Sequence, residues 1–319
     1  MRKLSALFLA GLMSLALFGA AQPAPVEAVG GRIYVGFDVD GTNGGCGDPM
    51  FGVESHGAKE AIGHALREAN DGDTVYLCAG TYDLTTGIRV LSGTNLSIQG
   101  AGAGRTVLDG GGDVRILKIN ADSIHLNIRD LHFYDGNANA DGGAICHKEG
   151  DLLVQRVTFT DNVSDTFGGA ISCSGTSLTI LDSRFINNSA SRHGGAIDVH
   201  QSNGTVIENS VFINNHADEE GGALGANGSD LTVTRSQFIG NTSGSDGGAI
   251  WYDEDQGLVL QRNTFSGNIA AGVGGAIVLN GSSVMKRVGR QLLGSNRFSR
   301  NRADSNRYAN VGYNYYGES

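Results

Sequence analysis

Residues 168–193 read GGAISCSGTSLTILDSRFINNSASRH, and at Gly194 the pattern begins again. The glycine doublet opens at Gly142, Gly168, Gly194, Gly221, Gly247 and Gly274, at intervals of 26, 26, 27, 26 and 27 residues. A Phe keeps the same beat at Phe133, Phe159, Phe185, Phe212, Phe238 and Phe265, with Phe298 after a longer interval of 33. An Asn stands three places after most of them, at Asn162, Asn188, Asn215, Asn241, Asn268 and Asn301. A fixed period of this length is the signature of stacked, identical supersecondary units. Within a period, apolar and polar residues alternate over short stretches, as in Leu178 to Leu181, and no helical pattern of ten residues intervenes. Short strands that turn about three times per period form a closed coil with one strand face inside. Successive coils then pair in parallel at ~4.8 Å. The fold class predicted is all-β: a right-handed, single-stranded parallel β-helix with an N-terminal capping helix.

Like positions then lie above one another. The Phe residues become an internal aromatic stack, the Asn residues a hydrogen-bonded ladder at a turn, and the glycine doublets a corner that needs positive φ or tolerates no side chain. Both ends need covering, because an open coil is an unpaired strand edge. Ala58, Ala61, Ile62, Ala65, Leu66 and Ala69 share one face at helical spacing and predict a helix that plugs the first coil. A cap is predicted from about residue 285 at the other end. No linker interrupts residues 30–319, so one elongated domain is expected. Residues 1–28 read as a signal peptide and short leader: Arg2 and Lys3, an apolar run from Leu4 to Phe18, then cleavage near 21 or 28. That run is too short to favour a membrane span, and the mature chain is expected to be secreted or cell-surface associated.

The formal net charge is −10; without Arg2 and Lys3, 21 basic residues face 33 acidic ones, giving −12. Nucleic acid is disfavoured as a partner on that balance. The charge is uneven, with seven basic residues from Lys286 onward against two acidic ones. Four Cys in an exported chain allow two disulfides. The favoured bridge is Cys46–Cys78. Cys146 and Cys173 lie on neighbouring repeats but one residue out of step, which points them to opposite faces, and their pairing stays open.

Ala58-Lys-Glu-Ala-Ile62, Gly72-Asp-Thr-Val75 and Gly80-Thr-Tyr82, continued by Ile98-Gln-Gly100 and Val107-Leu-Asp-Gly110, resemble the opening of pectate-lyase-like β-helix proteins. From residue 133 the Gly-Gly-Ala-Ile and Phe-x-x-Asn motifs resemble the repeats of the polymorphic outer-membrane protein family. That resemblance implies the fold and a surface role. It does not extend to those proteins' membrane barrel, because about 45 residues after the last doublet are too few for eight strands of ~10 residues. The scaffold itself carries lyases, hydrolases, epimerases and adhesins alike.

The residue before each doublet is Asp141, Phe167, His193, Glu220, Asp246 and Val273. Stacking would bring His193, Glu220 and Asp246 together, flanked by Arg192 and Glu219. Arg192, His193, Glu220 and Asp246 are the catalytic candidates: carboxylates could act as an acid/base pair and the Arg or His could move a proton. Glu219, Glu220 and Asp246 could hold Ca²⁺ through oxygens, the cofactor expected if the chain is a lyase; otherwise none is expected. The same residues equally suit solvated corners. Trp251, Tyr252 and Asp253 are ligand-binding candidates, an aromatic platform for a sugar ring, although the column of His147, Cys173, Val199, Ala226, Tyr252 and Leu279 reads more as wall. No nucleophile motif and no His/Cys metal spacing occurs. Two functions remain. One is an exported, non-catalytic β-helix whose repetitive surface serves adhesion or polysaccharide binding. The other is a lyase or glycoside hydrolase acting on acidic polysaccharide. The partner expected is a polysaccharide or cell-surface ligand, with no membrane-spanning segment in the mature chain.

Overall fold

The computed structural model describes residues 31–36, 51–53, 57–90, 95–120, 124–202, 204–253, 257–280, 292–304 and 309–314. The leader at 1–28 and Cys46 lie outside these residues, so the Cys46–Cys78 pairing is described only at Cys78, which is buried. Each described repeat winds through three parallel sheets of 17, 9 and 7 strands. In one coil, Leu224–Asn227 and Leu231–Thr234 belong to the widest sheet, Gln237–Ile239 to the second and Thr242–Ser243 to the third. Register is kept residue for residue: Phe185 pairs with Phe212, Phe212 with Phe238, and Phe238 with Phe265.

The predicted ladders form. Rings from Phe133 to Phe298 stack with centroids 4.7–5.1 Å apart and planes within 10°. The backbone N–H of Asn188 donates to Asn215 Oδ1 at 3.0 Å, and Asn188 Nδ2 donates to the same oxygen at 2.9 Å. Asn215 repeats this with Asn241, Asn241 with Asn268, and Asn268 with Asn301. A second ladder was not anticipated. The N–H of Val157 donates to Ser183 Oγ, Ser183 N–H to Ser210 Oγ, Ser210 N–H to Ser236 Oγ, and Ser236 N–H to Asn263 Oδ1. Together the two ladders satisfy buried amides at two of the corners, where sheet pairing is interrupted.

At the third corner the doublets behave as the sequence demands. Gly221 has φ +67°, and a Cβ on Gly222 would stand 2.2 Å from Gly248 O. The other corners turn on single residues in the left-handed region, stacked as Asp130, Arg156, Asp182, Asn209, Arg235 and Arg262 at φ 50–59°. Non-glycine residues there carry a strain of ~1–2 kcal/mol each, which the uniform ladders hold in place.

Helix Ala58–Glu68, here α1, buries Ala58, Ala61, Ile62, Ala65 and Leu66 against the first coils, as its pattern requires. The C-terminal cap expected from about residue 285 begins outside the described residues. Residues 281–291 lie outside the described set, and beyond them the chain adds another coil: Phe265 pairs with Phe298, Ala270 with Ala303 and Ile277 with Val311. Across the interval of 33 the strand pairing is kept in all three sheets, at Phe298, Ala303 and Val311. Cys146 and Cys173 are both free and buried, and the register pairs Cys146 with Ser172 and Cys173 with His147, one step out of line as predicted. Among the described residues no helix is long and apolar enough to cross a membrane.

Candidate functional site

The residues before the doublets do form one column. The N–H of Gly168 donates to His193 O, that of Gly194 to Glu220 O and that of Gly221 to Asp246 O, each at 3.0 Å. The turn lies flat on the strand that follows, because a Cβ on Gly194 would come within 2.1 Å of Ile197 O and 3.0 Å of Asp198 N. The column is thereby pressed against the outward side chains of the widest sheet, whose register runs Ser172, Asp198, Gly225, Trp251, Val278.

His193 is the hub. Its Nε2 lies 2.9 Å from Glu220 Oε2 and 3.1 Å from Glu219 Oε2, and its ring packs 5.2 Å from Phe167 and 4.7 Å from Trp251. Arg192 sits over the Phe167 ring at 4.9 Å and places Nε 3.3 Å from Glu219 Oε2. Gly225 makes this packing possible: a side chain there would meet Asp198 Oδ1 at 2.6 Å and His193 Cβ at 3.3 Å. With that position empty, the indole of Trp251 reaches the imidazole across an intervening coil.

Asp198 was not among the sequence candidates, yet it is the most perturbed carboxyl here. It is 6% exposed, and burial pushes its pKa up to about 7 against the opposing pull of His193 and Arg192, with Asp141 adding to the rise. Burial works to lower His193, but the hydrogen bond and charge of Glu220, with Asp198 and Glu219 behind them, outweigh it and hold the imidazole above its ordinary value. The signal for this pocket was Gly225, a glycine inside a strand, which marks a close approach.

The other candidates are placed apart. Asp246 turns to the next coil, where its Oδ1 accepts the N–H of Val273 at 2.7 Å and lies against Gly272, so it caps a turn and is not one of the carboxylates converging on His193. Trp251, Tyr252 and Asp253 do not assemble into a platform, because successive strand residues face opposite sides. Tyr252 is fully buried in the interior file with Ala226 and Leu279. Trp251 is 4% exposed beneath the corner, with its Nε1 buried and, among the described residues, without a hydrogen-bond partner. Asp253 accepts from Asn227 Nδ2 at 3.3 Å.

One ligand atom from each of His193, Glu219 and Glu220 lies within 4.8 Å of the others. As a cation cradle, the three offer one imidazole and two carboxylates. Ca²⁺ takes six to eight oxygens, whereas imidazole suits transition metals, so these donors fit Ca²⁺ poorly.

The right-handed β-helix region family matches residues 70–238, more than half of the chain. The chain belongs to that family. Within this β-helix, residues 235–252 and 264–280 also match the Chlamydia polymorphic membrane protein repeat. No curated protein matches the chain. A solved catalytic domain of a GH87 α-1,3-glucanase, in complex with tetrasaccharides, is similar at 14% identity with a TM-score of 0.36. The alignment covers 82% of this β-helix and 57% of that domain, and at this level it bears on neither substrate nor chemistry.

Proposed function

We propose that this β-helix is an exported, non-catalytic protein whose lateral surface binds polysaccharide or a cell-surface glycan. The observation that carries the reading is the state of the corner where reactive residues concentrate. Glu219 and Glu220 both engage His193, Arg192 is spent on Glu219 and Phe167, and Asp246 caps a turn. A lyase needs a free base and a hydrolase needs two separated carboxyls. Regularity supports the same conclusion, since the register continues from coil to coil and long loops are where such scaffolds usually build a cleft. The repeats' likeness to a membrane-protein repeat and the signal-like leader support a location outside the cytoplasm.

The lyase or hydrolase alternative is tested by incubating the purified protein with uronate polymers and with neutral glucans, with and without Ca²⁺. Unsaturated-product absorbance and reducing ends are followed in parallel. The expected result is no turnover, together with measurable binding on a glycan array. Turnover that disappears in Glu220→Gln would overturn the binding reading. The absence of any glycan binding would overturn it equally.

A further inference from the structure

A groove lies away from that corner, between α1 and the first coils, and its charge is opposite to that of the molecule. Lys59 and Arg67 line it from α1, and Arg89, Arg115 and Lys118 line it from the coils. Two acidic residues, Glu60 and Asp113, share the lining, so the groove carries a formal excess of three positive charges in a chain of net charge −10.

Local structure fixes where these cations point. Arg89 lies between buried Ile88 and Val90, and Lys118 between buried Leu117 and Ile119, so strand alternation turns both outward. The register sets Arg89 directly opposite Lys118 on successive coils. Like charges facing each other across a ladder oppose folding, and among the described residues neither has an ion-pair partner. Lys59 pairs with Glu60 at 3.7 Å. Arg115 is anchored at the rim, where its Nε donates to Gly142 O at 3.0 Å. The floor is kept low by two glycines, Gly63 and Gly87. At Gly87 a Cβ would lie 2.1 Å from Arg115 O, so no side chain can fill the groove there. This arrangement opposes folding and leaves an open trough of unneutralised cations, which is the construction of an anion site.

We propose that this groove binds a segment of anionic polysaccharide, a sugar chain bearing carboxylates or sulfates, laid along the helix axis. Coils repeat at ~4.8 Å, on the scale of one sugar ring, so a chain with one acidic group per ring presents its charges at the spacing of Arg89 and Lys118. Nucleic acid fits less well: its charge density of one per ~1.7 Å of duplex meets only a short cationic patch before the acidic body repels it. The inference rests on the glycan-binding reading above and gives it a location and a ligand charge.

The test is calorimetric titration of the full mature protein with four probes: an oligogalacturonate, a heparin oligosaccharide, a neutral glucan oligomer and a single-stranded DNA oligonucleotide of equal charge. Binding of at least one acidic sugar, weakening as NaCl rises, is expected, with the responding probe deciding between carboxylate and sulfate. The double variant Arg89→Ser/Lys118→Ser should lose about tenfold in affinity, and removing two facing like charges should leave the fold intact by circular dichroism. Arg184→Ser, an exposed cation outside the groove, should change nothing. Acidic-sugar binding unaffected by the double variant overturns the groove while leaving the glycan-binding function standing. Binding of the neutral glucan with equal affinity, or of DNA with greater affinity than either acidic sugar, overturns the ligand class. Binding of no glycan at all overturns both.

Discussion

Replacing Asn215 with Leu tests whether the Asn column holds the coils together or merely fits between them. Asn215 is fully buried. Its Oδ1 accepts from Asn188 N and Asn188 Nδ2, and its Nδ2 donates to Phe185 O at 3.1 Å and Asn241 Oδ1 at 2.9 Å. Leu removes all four bonds. Two partners retain another: Asn188 Nδ2 keeps Phe159 O, and Asn241 Oδ1 keeps the Asn215 backbone N–H. The N–H of Asn188 loses its acceptor, and a buried orphan of this kind costs ~1–3 kcal/mol. Adding about 1 kcal/mol for each of the three further lost bonds gives a destabilisation of about 4–6 kcal/mol, at the extreme for single substitutions. Asn215→Asp separates the parts. It keeps the acceptor for Asn188 but sets a carboxylate oxygen where a donor met Phe185 O and Asn241 Oδ1. Its folded pKa is therefore raised, so its deficit is full above that value and fades as pH falls towards the unfolded pKa near 4. Urea unfolding followed by circular dichroism reads the total. Amide exchange at Asn188 reads the rung itself, which matters because stacked repeats do not always unfold in one step. A Leu variant within about 0.5 kcal/mol of wild type, or an Asp variant indifferent to acid, would refute the argument.

Two buried titrating groups pull stability in opposite directions over nearly the same pH range. Asp198, raised to about 7, binds its proton more tightly folded than unfolded, so its contribution falls as pH rises from about 4 to about 7. His147, pushed down to about 4 by burial, does the reverse, losing stability as pH drops below about 6.5. Asp198→Asn should steepen the acid loss measured by melting temperature against pH, and His147→Leu should flatten or invert it; unchanged slopes in both would contradict the burial of these groups. Gly222→Ala should abolish soluble folded protein, because Gly248 O and Thr242 O stand 2.2 and 2.5 Å from the added carbon. Gly267→Ala, also at a corner but with nothing within 4 Å and φ +67°, should cost only ~1–2 kcal/mol by the same melting assay. Cys146 and Cys173 should resist alkylation in the native state, since burial raises both thiols and pushes Cys173 up to about 12. Non-reducing peptide mapping should find Cys46 joined to Cys78, and both thiols alkylated without reductant would remove that bridge.

The period made most of this architecture legible, because identical spacing converts a line of letters into columns. Phe185, Asn215 and Gly221 could be placed without coordinates. What escaped were features that repeat by role and not by letter. The second ladder changes from Ser183, Ser210 and Ser236 to Asn263, since either side chain offers an oxygen to the coil before it. The left-handed corners accept Asp, Arg and Asn alike. At the candidate site, stacking joined His193 to Glu220, but column logic alone kept Asp246 with them, left out Asp198 and set Trp251 apart in a separate platform. Column membership fixes the backbone, and the side chain still chooses between the coil before and the coil after. The basic groove was harder to see, because Lys59, Arg67, Arg89, Arg115 and Lys118 precede the regular repeats and share no period.

The direction of the Asn ladder bears on how the chain is made. Every rung is closed by an oxygen from the coil that follows, as Asn188 N–H is closed by Asn215 and Asn215 N–H by Asn241. A polypeptide emerging from its N-terminus can therefore wind a turn but cannot finish it until the next turn arrives. Its growing tip always exposes unsatisfied amides, from the Asn ladder and the Ser ladder alike, and the succeeding repeat of the same chain supplies the oxygens that quench them.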